Sequence, residues 1–286
     1  GLKLQSSYGV NPYKFGMIGS TDSHTSLATA AEDNFYGKHS AGMEPTSTRW
    51  KDAVGGRGDV TVPGFLMASS GYAAVWATEN TREGIWDAIQ RKEVYATTGS
   101  RMTLRFFGGW DFTEADLQAS NMSDIGYGKG VPMGATLSQS SAAAPVFMLQ
   151  TSKDPNGANL DRLQVIKGWE DAQGAVHEKV FNVAWSNPEL RSMDASGDIA
   201  DIPSTVNEAK ATYSHKYGAA ELTALWQDPE FSAEQKAFYY VRALEVPSPR
   251  WTAYDAAKFD VEMAPYVKKT TQDRAYSSPI WYEPKN

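Results

Sequence analysis

The sequence predicts an α/β segment followed by a larger, mainly antiparallel all-β segment, with the change near residue 101. Three observations carry this. Phe15-Gly-Met-Ile-Gly19 is an uncharged apolar run closed by small polar residues, the pattern of a strand covered on both faces. A helix pattern over 81–92 runs straight into a strand pattern, Val94-Tyr-Ala-Thr-Thr-Gly. After residue 102 several runs alternate with period two, and no convincing helix separates them.

Taken in order, residues 1–11 finish a helix and Pro12 restarts the chain ahead of the strand at 15–19. Thr25 to Asp33 is rich in small residues and reads as a short helix or turn. Residues 40–70 are irregular, and Arg57-Gly-Asp59 is a turn within them; loops this long often serve a site. Arg49 and Trp50 suit a structural role more than the roof of a cleft. Asn80 or Thr81 caps the helix that follows, whose apolar face is Ile85, Trp86, Ala88 and Ile89. Strands are expected at 102–110, 145–152, 161–169, 179–185 and 235–246. Asp171-Ala-Gln-Gly174 turns the third into the fourth as a hairpin. Ala219–Gln227 is the one expected helix of this half. Trp110, Trp169, Trp251 and Trp281 are expected in the core. For Arg250 and Arg274, packing is favoured over a place in a substrate cleft, since Arg-aromatic clusters serve both uses.

The composition narrows the functions. The chain has 286 residues, enough for one large domain or two ordinary ones, with 41% hydrophobic and 21% charged residues, as in globular proteins. A net charge of −7 argues against nucleic acid as the main partner. The absence of cysteine removes disulfides, thiol catalysis and thiolate metal sites. No apolar run approaches the roughly 20 residues of a membrane span. The location is not fixed by these features; periplasmic or secreted is favoured over cytoplasmic.

The chemistry concentrates just after the apolar run, in Ser20-Thr-Asp-Ser-His24. In an extended chain Asp22 and His24 leave on the same face. A carboxylate and an imidazole at a strand's carboxyl end suit zinc, manganese or iron. The same residues also suit a cap on the segment that follows. In Asn34-Phe-Tyr-Gly-Lys-His39, His39 is a candidate ligand or substrate contact and Lys38 a candidate anion holder. Glu32 and Asp33 stand between a metal or base role and a solvated cap. Arg101, at the end of the strand from Val94, suits a clamp on an oxyanion or an ion pair with Glu79.

Longer motifs add a resemblance. Asn11-Pro-Tyr-Lys-Phe-Gly-Met-Ile-Gly-Ser-Thr-Asp-Ser-His24, Glu32-Asp-Asn-Phe-Tyr-Gly-Lys-His39, Val75-Trp-Ala-Thr-Glu-Asn-Thr-Arg82 and Val94-Tyr-Ala-Thr-Thr-Gly-Ser-Arg101 resemble the domain-of-unknown-function 3604 family of the polymerase-and-histidinol-phosphatase (PHP) superfamily. The likeness covers nearly the whole chain. It implies a distorted (β/α)7 barrel with two or three divalent metals, whose last ligand motif matches Asp22 and His24. The fold expected from it is the C-terminal part of such a barrel over 1–101. A mainly antiparallel, sandwich-like part follows over 102–286, its tail packing back on the barrel. Superfamily members carry earlier ligands upstream, beginning with a His-x-His that this sequence lacks. The chain is therefore expected to be the C-terminal portion of a longer protein, or to take the missing barrel part from another chain.

The leading expectation is a metal-dependent hydrolase of a phosphate or other ester, attacking through a metal-held hydroxide. A carbaryl-hydrolase-like branch resembles it in the Tyr-Ala-Thr-x-Gly segment. Asp22 and His24 would hold zinc, manganese or iron, and Asp22 would also receive a proton. Lys38, His39 and Arg101 would position the anionic group of a small-molecule substrate. No G-x-S-x-G elbow suggests a serine triad. The alternative is a non-catalytic carbohydrate- or protein-binding module with a vestigial metal motif. A carboxylate-pair glycosidase ranks third, since no acid pair stands out.

Overall fold

The computed structural model describes residues 1–27, 31–69, 71–138 and 143–284. Helix α1, Leu2–Tyr8, ends at Gly9, whose left-handed conformation (φ 78°) lets its N–H reach the Gln5 carbonyl. Beyond the turn at Pro12 and Tyr13 the chain joins no ladder as far as residue 23. The buried strand expected at 15–19 is corrected here, because Phe15 is 52% and Ile18 65% exposed. The segment touches the sheet through its glycines. A Cβ on Gly16 would meet Val94, and one on Gly19 would sit 2.6 Å from the Thr97 carbonyl oxygen and 2.7 Å from that of Tyr72. This close backbone approach fastens the run, with the Gly19 N–H donating to the Tyr72 carbonyl at 3.2 Å and the Met17 N–H donating to Ser278 Oγ at 2.9 Å. Gly19→Ala is expected to cost about 1–3 kcal/mol, read as a lower urea midpoint; an unchanged midpoint would mean that the segment lifts freely.

The expected helix or turn after Thr25 lies partly outside the described residues, at 28–30; Glu32–Asn34 forms a single 3₁₀ turn. In the irregular 40–70 region, Ala53–Arg57 and Val60–Pro63 pair as a small hairpin. Gly58 (φ 61°) turns it, as read for Arg57-Gly-Asp59.

The principal strands are β1 (Tyr72–Val75), β2 (Val94–Thr97), β3 (Thr103–Gly109), β4 (Val146–Ser152), β5 (Leu160–Glu170), β6 (Val176–Trp185), β7 (Glu221–Gln227), β8 (Ala237–Glu245), β9 (Arg274–Ser277) and β10 (Ile280–Tyr282). Helix α2, Arg82–Gln90, joins β1 to β2. Its N-cap is Thr81, whose hydroxyl accepts from the Gly84 N–H, as the sequence predicts. Two short helices follow β3, α3 (Glu114–Leu117) and α4 (Met122–Lys129), and α5 (Trp251–Phe259) follows β8.

One sheet runs β6-β5-β8-β9-β2-β1, and β10 pairs with β8 beside it. The other runs β7-β4-β3 and ends on Gly130–Pro132. The ladders named here are antiparallel. The chain thus has a mixed α/β region and a larger all-β region. No barrel closes among the described residues. Strands β2 and β9, from opposite ends of the chain, pair through Ala275↔Thr97, Tyr276↔Ala96 and Ser277↔Tyr95.

The core lies between the sheets. Leu104, Phe106, Phe147 and Leu149 meet Leu163, Val165, Tyr239, Val241 and Ala243, the inward positions of a sandwich. Helices α3 and α4 cover the outer face of β3 and β4, where Phe107 and Met148 pack on Phe112, Leu117 and Met122. Trp251 and Trp281 are buried, and Trp110 and Trp169 pack half-buried against the core.

The helix expected at Ala219–Gln227 is a second correction, because Glu221–Gln227 is strand β7. All seven residues register against β4. Leu222, Ala224 and Trp226 face the main core, and Leu225 packs on the opposite face with Phe107 and Met148. Burial on both faces gives a continuous apolar run, which local pattern does not distinguish from a helix. Helix α5 falls in a stretch read only as an aromatic and arginine cluster. The helix is anchored by Arg49, which is buried and forms a two-pronged ion pair with Asp255.

Candidate functional site

Strand β2 carries the chain to Thr97, and the next three residues, Thr98, Gly99 and Ser100, line a polar cleft. Thr98 exchanges backbone bonds with the tail: its N–H donates to the Arg274 carbonyl at 2.9 Å, and its hydroxyl oxygen accepts from the Arg274 N–H at 2.9 Å. The same hydroxyl donates to Asp273 Oδ1 at 2.7 Å. Ser100 donates to Glu245, which is 1% exposed at the end of β8. From the opposite wall comes Glu32, whose Oε1 accepts from Ser69 at 2.8 Å and whose Oε2 accepts from the Trp251 N–H at 2.6 Å. The second bond places a carboxylate at the amino end of α5, where the helix dipole favours it.

These groups line two neighbouring cavities that share Glu32 and Asp273. The first, about 480 Å³, is also lined by Arg250, Lys268 and Arg274. The second, about 420 Å³, adds Asp33, Asp154, Tyr213, Glu245 and Tyr254.

Burial governs the titration of this cleft. It raises Glu32 above the ordinary carboxyl value, although the Trp251 and Ser69 donors oppose it. Burial raises Asp273 as well, against its bond from Thr98. Glu245 is pushed up to about 8, first by burial and then by the charges of Asp273 and Asp154, with the Ser100 bond opposing. A carboxyl held there is protonated at neutral pH and can donate a hydrogen bond or a proton. Arg250 is lowered by burial, and Glu32 opposes that shift.

Of the residues singled out in the sequence, Glu32, Asp33, Arg250 and Arg274 line these cavities, whereas Asp22, His24, Lys38, His39 and Arg101 line neither. Residues 22–24 and 36–39 run next to each other: the His24 N–H donates to the Lys38 carbonyl at 2.6 Å, and His24 and His39 form a parallel bridge. Their rings stack with centroids 4.5 Å apart. Lys38 Nζ donates to the Thr21 carbonyl at 2.6 Å. Burial lowers Lys38, while Asp22 and Glu32 raise it, so this ammonium links the motif electrostatically to the cleft wall. Asp22 has a left-handed backbone (φ 49°), which Asp tolerates better than most residues. The extended geometry that would align its side chain with that of His24 is therefore corrected at this position. Asp22, His24 and His39 are exposed. Arg101 is also exposed and forms no ion pair with Glu79; its guanidinium lies 5.6 Å from the Tyr72 ring centre, and its N–H donates to Asp154 at 2.8 Å. Among the described residues, no group of three or more His, Cys, Asp or Glu side chains is placed to hold a metal ion.

Glu245 and Asp273 were not singled out in the sequence. A signal for Glu245 is present: in β8 the alternate positions Ala237, Tyr239, Val241 and Ala243 are buried, and Glu245 continues that period-two series. A charged residue in an inward register is a site signal by itself. Asp273 carries no such mark, being loop sequence until β9 pairs with β2.

A family model described as "Protein of unknown function (DUF3604)" matches residues 1–284. No curated protein and no solved structure matches the chain.

Proposed function

The chain belongs to the DUF3604 family, and we propose that it supplies the substrate cleft and one Asp–His arm of a metal-dependent hydrolase of the PHP type, acting on a phosphate or other ester. The observation that carries this reading is the convergence of Asp22, the His24–His39 stack and Lys38 beside the cleft of Glu32, Asp273 and Glu245. Mixed oxygen and nitrogen donors of this kind suit zinc, manganese or iron. Further donors must come from outside the described residues, on this reading from the remainder of a barrel, in the same protein or as a separate chain. Residues 1–101 then form the end of that barrel and 102–286 the β part packed on it. When bound, the metal would supply an activated water and neutralise charge on the ester oxygen. Asp22 and His24 would hold it, with Asp22 also accepting a proton. Lys38, His39 and Arg101 would orient the anionic group of a small-molecule substrate.

One observation favours a second reading: the absence, among the described residues, of any three metal-capable side chains placed together. On these residues alone the better-supported reading is a non-catalytic module that binds a carbohydrate or a protein, with the metal motif vestigial. Elemental mass spectrometry of the purified chain separates the two. The hydrolase reading expects about one equivalent or more of zinc, manganese or iron, falling with His24→Ala, and metal-dependent turnover in a screen of phosphate, sulfate and carboxylic esters. No metal in either form, with or without the barrel remainder added, leaves the binding module.

A further inference from the structure

We infer that the cleft between Arg274 and Arg250 is a binding site for a tetrahedral oxyanion, the phosphate or sulfate group of a ligand. The inference names the ligand class of the cleft and rests on the reading that this cleft is the substrate site.

Arg274 is the central observation. Its backbone is fixed on both sides, by bonds to Thr98 and by its register opposite Leu244 on β8. Its side chain lines the first cavity. Yet its guanidinium makes no hydrogen bond or ion pair among the described residues, and its Nε is buried without a partner. A buried, unpartnered donor on a charged group is costly to fold, and native proteins rarely keep one without a use. Asp273, the adjacent acid, does not satisfy it; that carboxylate is held by Thr98.

Arg250 approaches the same space from the start of α5. Its NH2 group donates to the Phe65 carbonyl at 2.9 Å and to the Met67 carbonyl at 2.5 Å. These bonds hold the guanidinium against the cavity wall. Lys268 adds a third cation at the exposed rim. Three cations thus face two carboxylates in this cavity, Glu32 and Asp273. Both carboxylates already accept protein donors, and burial favours their neutral forms. The local balance is therefore positive in a chain of net charge −7. Two guanidinium forks on separate elements need more acceptor oxygens than the two of a carboxylate, and a tetrahedral oxyanion provides them.

The test is calorimetric titration of the metal-free full chain with inorganic phosphate, sulfate and acetate at low ionic strength. It compares the wild type with Arg274→Gln, Arg274→Lys and Arg82→Gln, each checked by thermal melting. Phosphate and sulfate are expected to bind, about tenfold or more weakly in Arg274→Gln and to an intermediate degree in Arg274→Lys, which keeps the charge and loses the fork. Arg82→Gln, exposed on helix α2 and outside the cavity, is expected to leave the affinity unchanged. No binding of either anion, an affinity insensitive to both Arg274 variants, or acetate binding as tightly as phosphate would overturn the assignment. Because no metal is present, failure here is separable from failure of the hydrolase reading. Anion binding through Arg274 without metal-dependent ester turnover removes only the hydrolase. Turnover whose KM is unchanged in Arg274→Gln removes only the anion site.

Discussion

Replacing Asp255 by Ala is expected to lower the unfolding free energy by about 3–5 kcal/mol, because it strands a buried guanidinium. Arg49 is 3% and Asp255 5% exposed. Arg49 Nε and NH2 each bond one carboxylate oxygen, and NH1 donates to the carbonyls of Phe35 at 2.9 Å, Tyr36 at 2.8 Å and Met43 at 3.4 Å. The guanidinium also lies 4.7 Å from the Trp251 ring centre and 5.4 Å from that of Phe35. One side chain therefore ties helix α5 to the loop that carries Lys38 and His39. Urea unfolding with an unchanged slope measures the effect. A loss under about 1 kcal/mol would show that the pair is a passive contact. The double variant Arg49→Met with Asp255→Ala is expected to recover part of the loss, since it removes the stranded charge and leaves only the lost loop bonds.

The second large effect depends on pH and arises at Glu245. Its carboxyl moves from an ordinary value of 4.5 to about 8 in the folded chain. The folded state therefore holds a proton that the unfolded state releases. Stability contributed by this group is fully present below about 4.5, declines as pH rises, and is lost once pH passes about 8. At about 1.4 kcal/mol per pH unit across that window, the loss is on the order of a few kcal/mol. Glu245→Gln mimics the protonated form at every pH. It is expected to match the wild type near pH 5 and to melt at a higher temperature than the wild type near pH 9. Parallel stability curves for the two proteins over that range would contradict the raised carboxyl. Asp273 and Glu32 shift in the same direction, so the variant isolates one contribution from a shared trend.

Both effects join residues remote in sequence, and this marks the limit of sequence reading. Local chemistry was legible where a few consecutive residues decide the outcome. Thr81 caps α2 through its own hydroxyl. Asp171 holds the β5–β6 turn by accepting from the N–H groups of Gln173 and Ala175, with Gly174 at φ 76°. The period-two alternation of β8 follows from one face meeting the core. The closeness of residues 22–24 to 38–39 also follows a local motif, since few residues separate the two segments.

Pairing decided the rest. β7 is a strand because β4 offers it an edge and both its faces find a core, and no pattern within Ala219–Gln227 contains that information. Phe15 and Ile18 read as buried because apolar runs normally are, but Gly16 and Gly19 press the backbone onto β1 and β2 and leave those side chains in solvent. The cleft forms only when β9 returns to β2, bringing Asp273 to Thr98, and when α5 brings its first N–H to Glu32. The sequence alone determined the helix caps, the turns, the strand periodicity and the residue types available for chemistry, because these depend on neighbours a few bonds away. The tertiary structure alone decided which acids are desolvated and that the buried Nε of Arg274 has no partner among the described residues. Desolvation and partnership depend on segments that meet only after the sheets have paired.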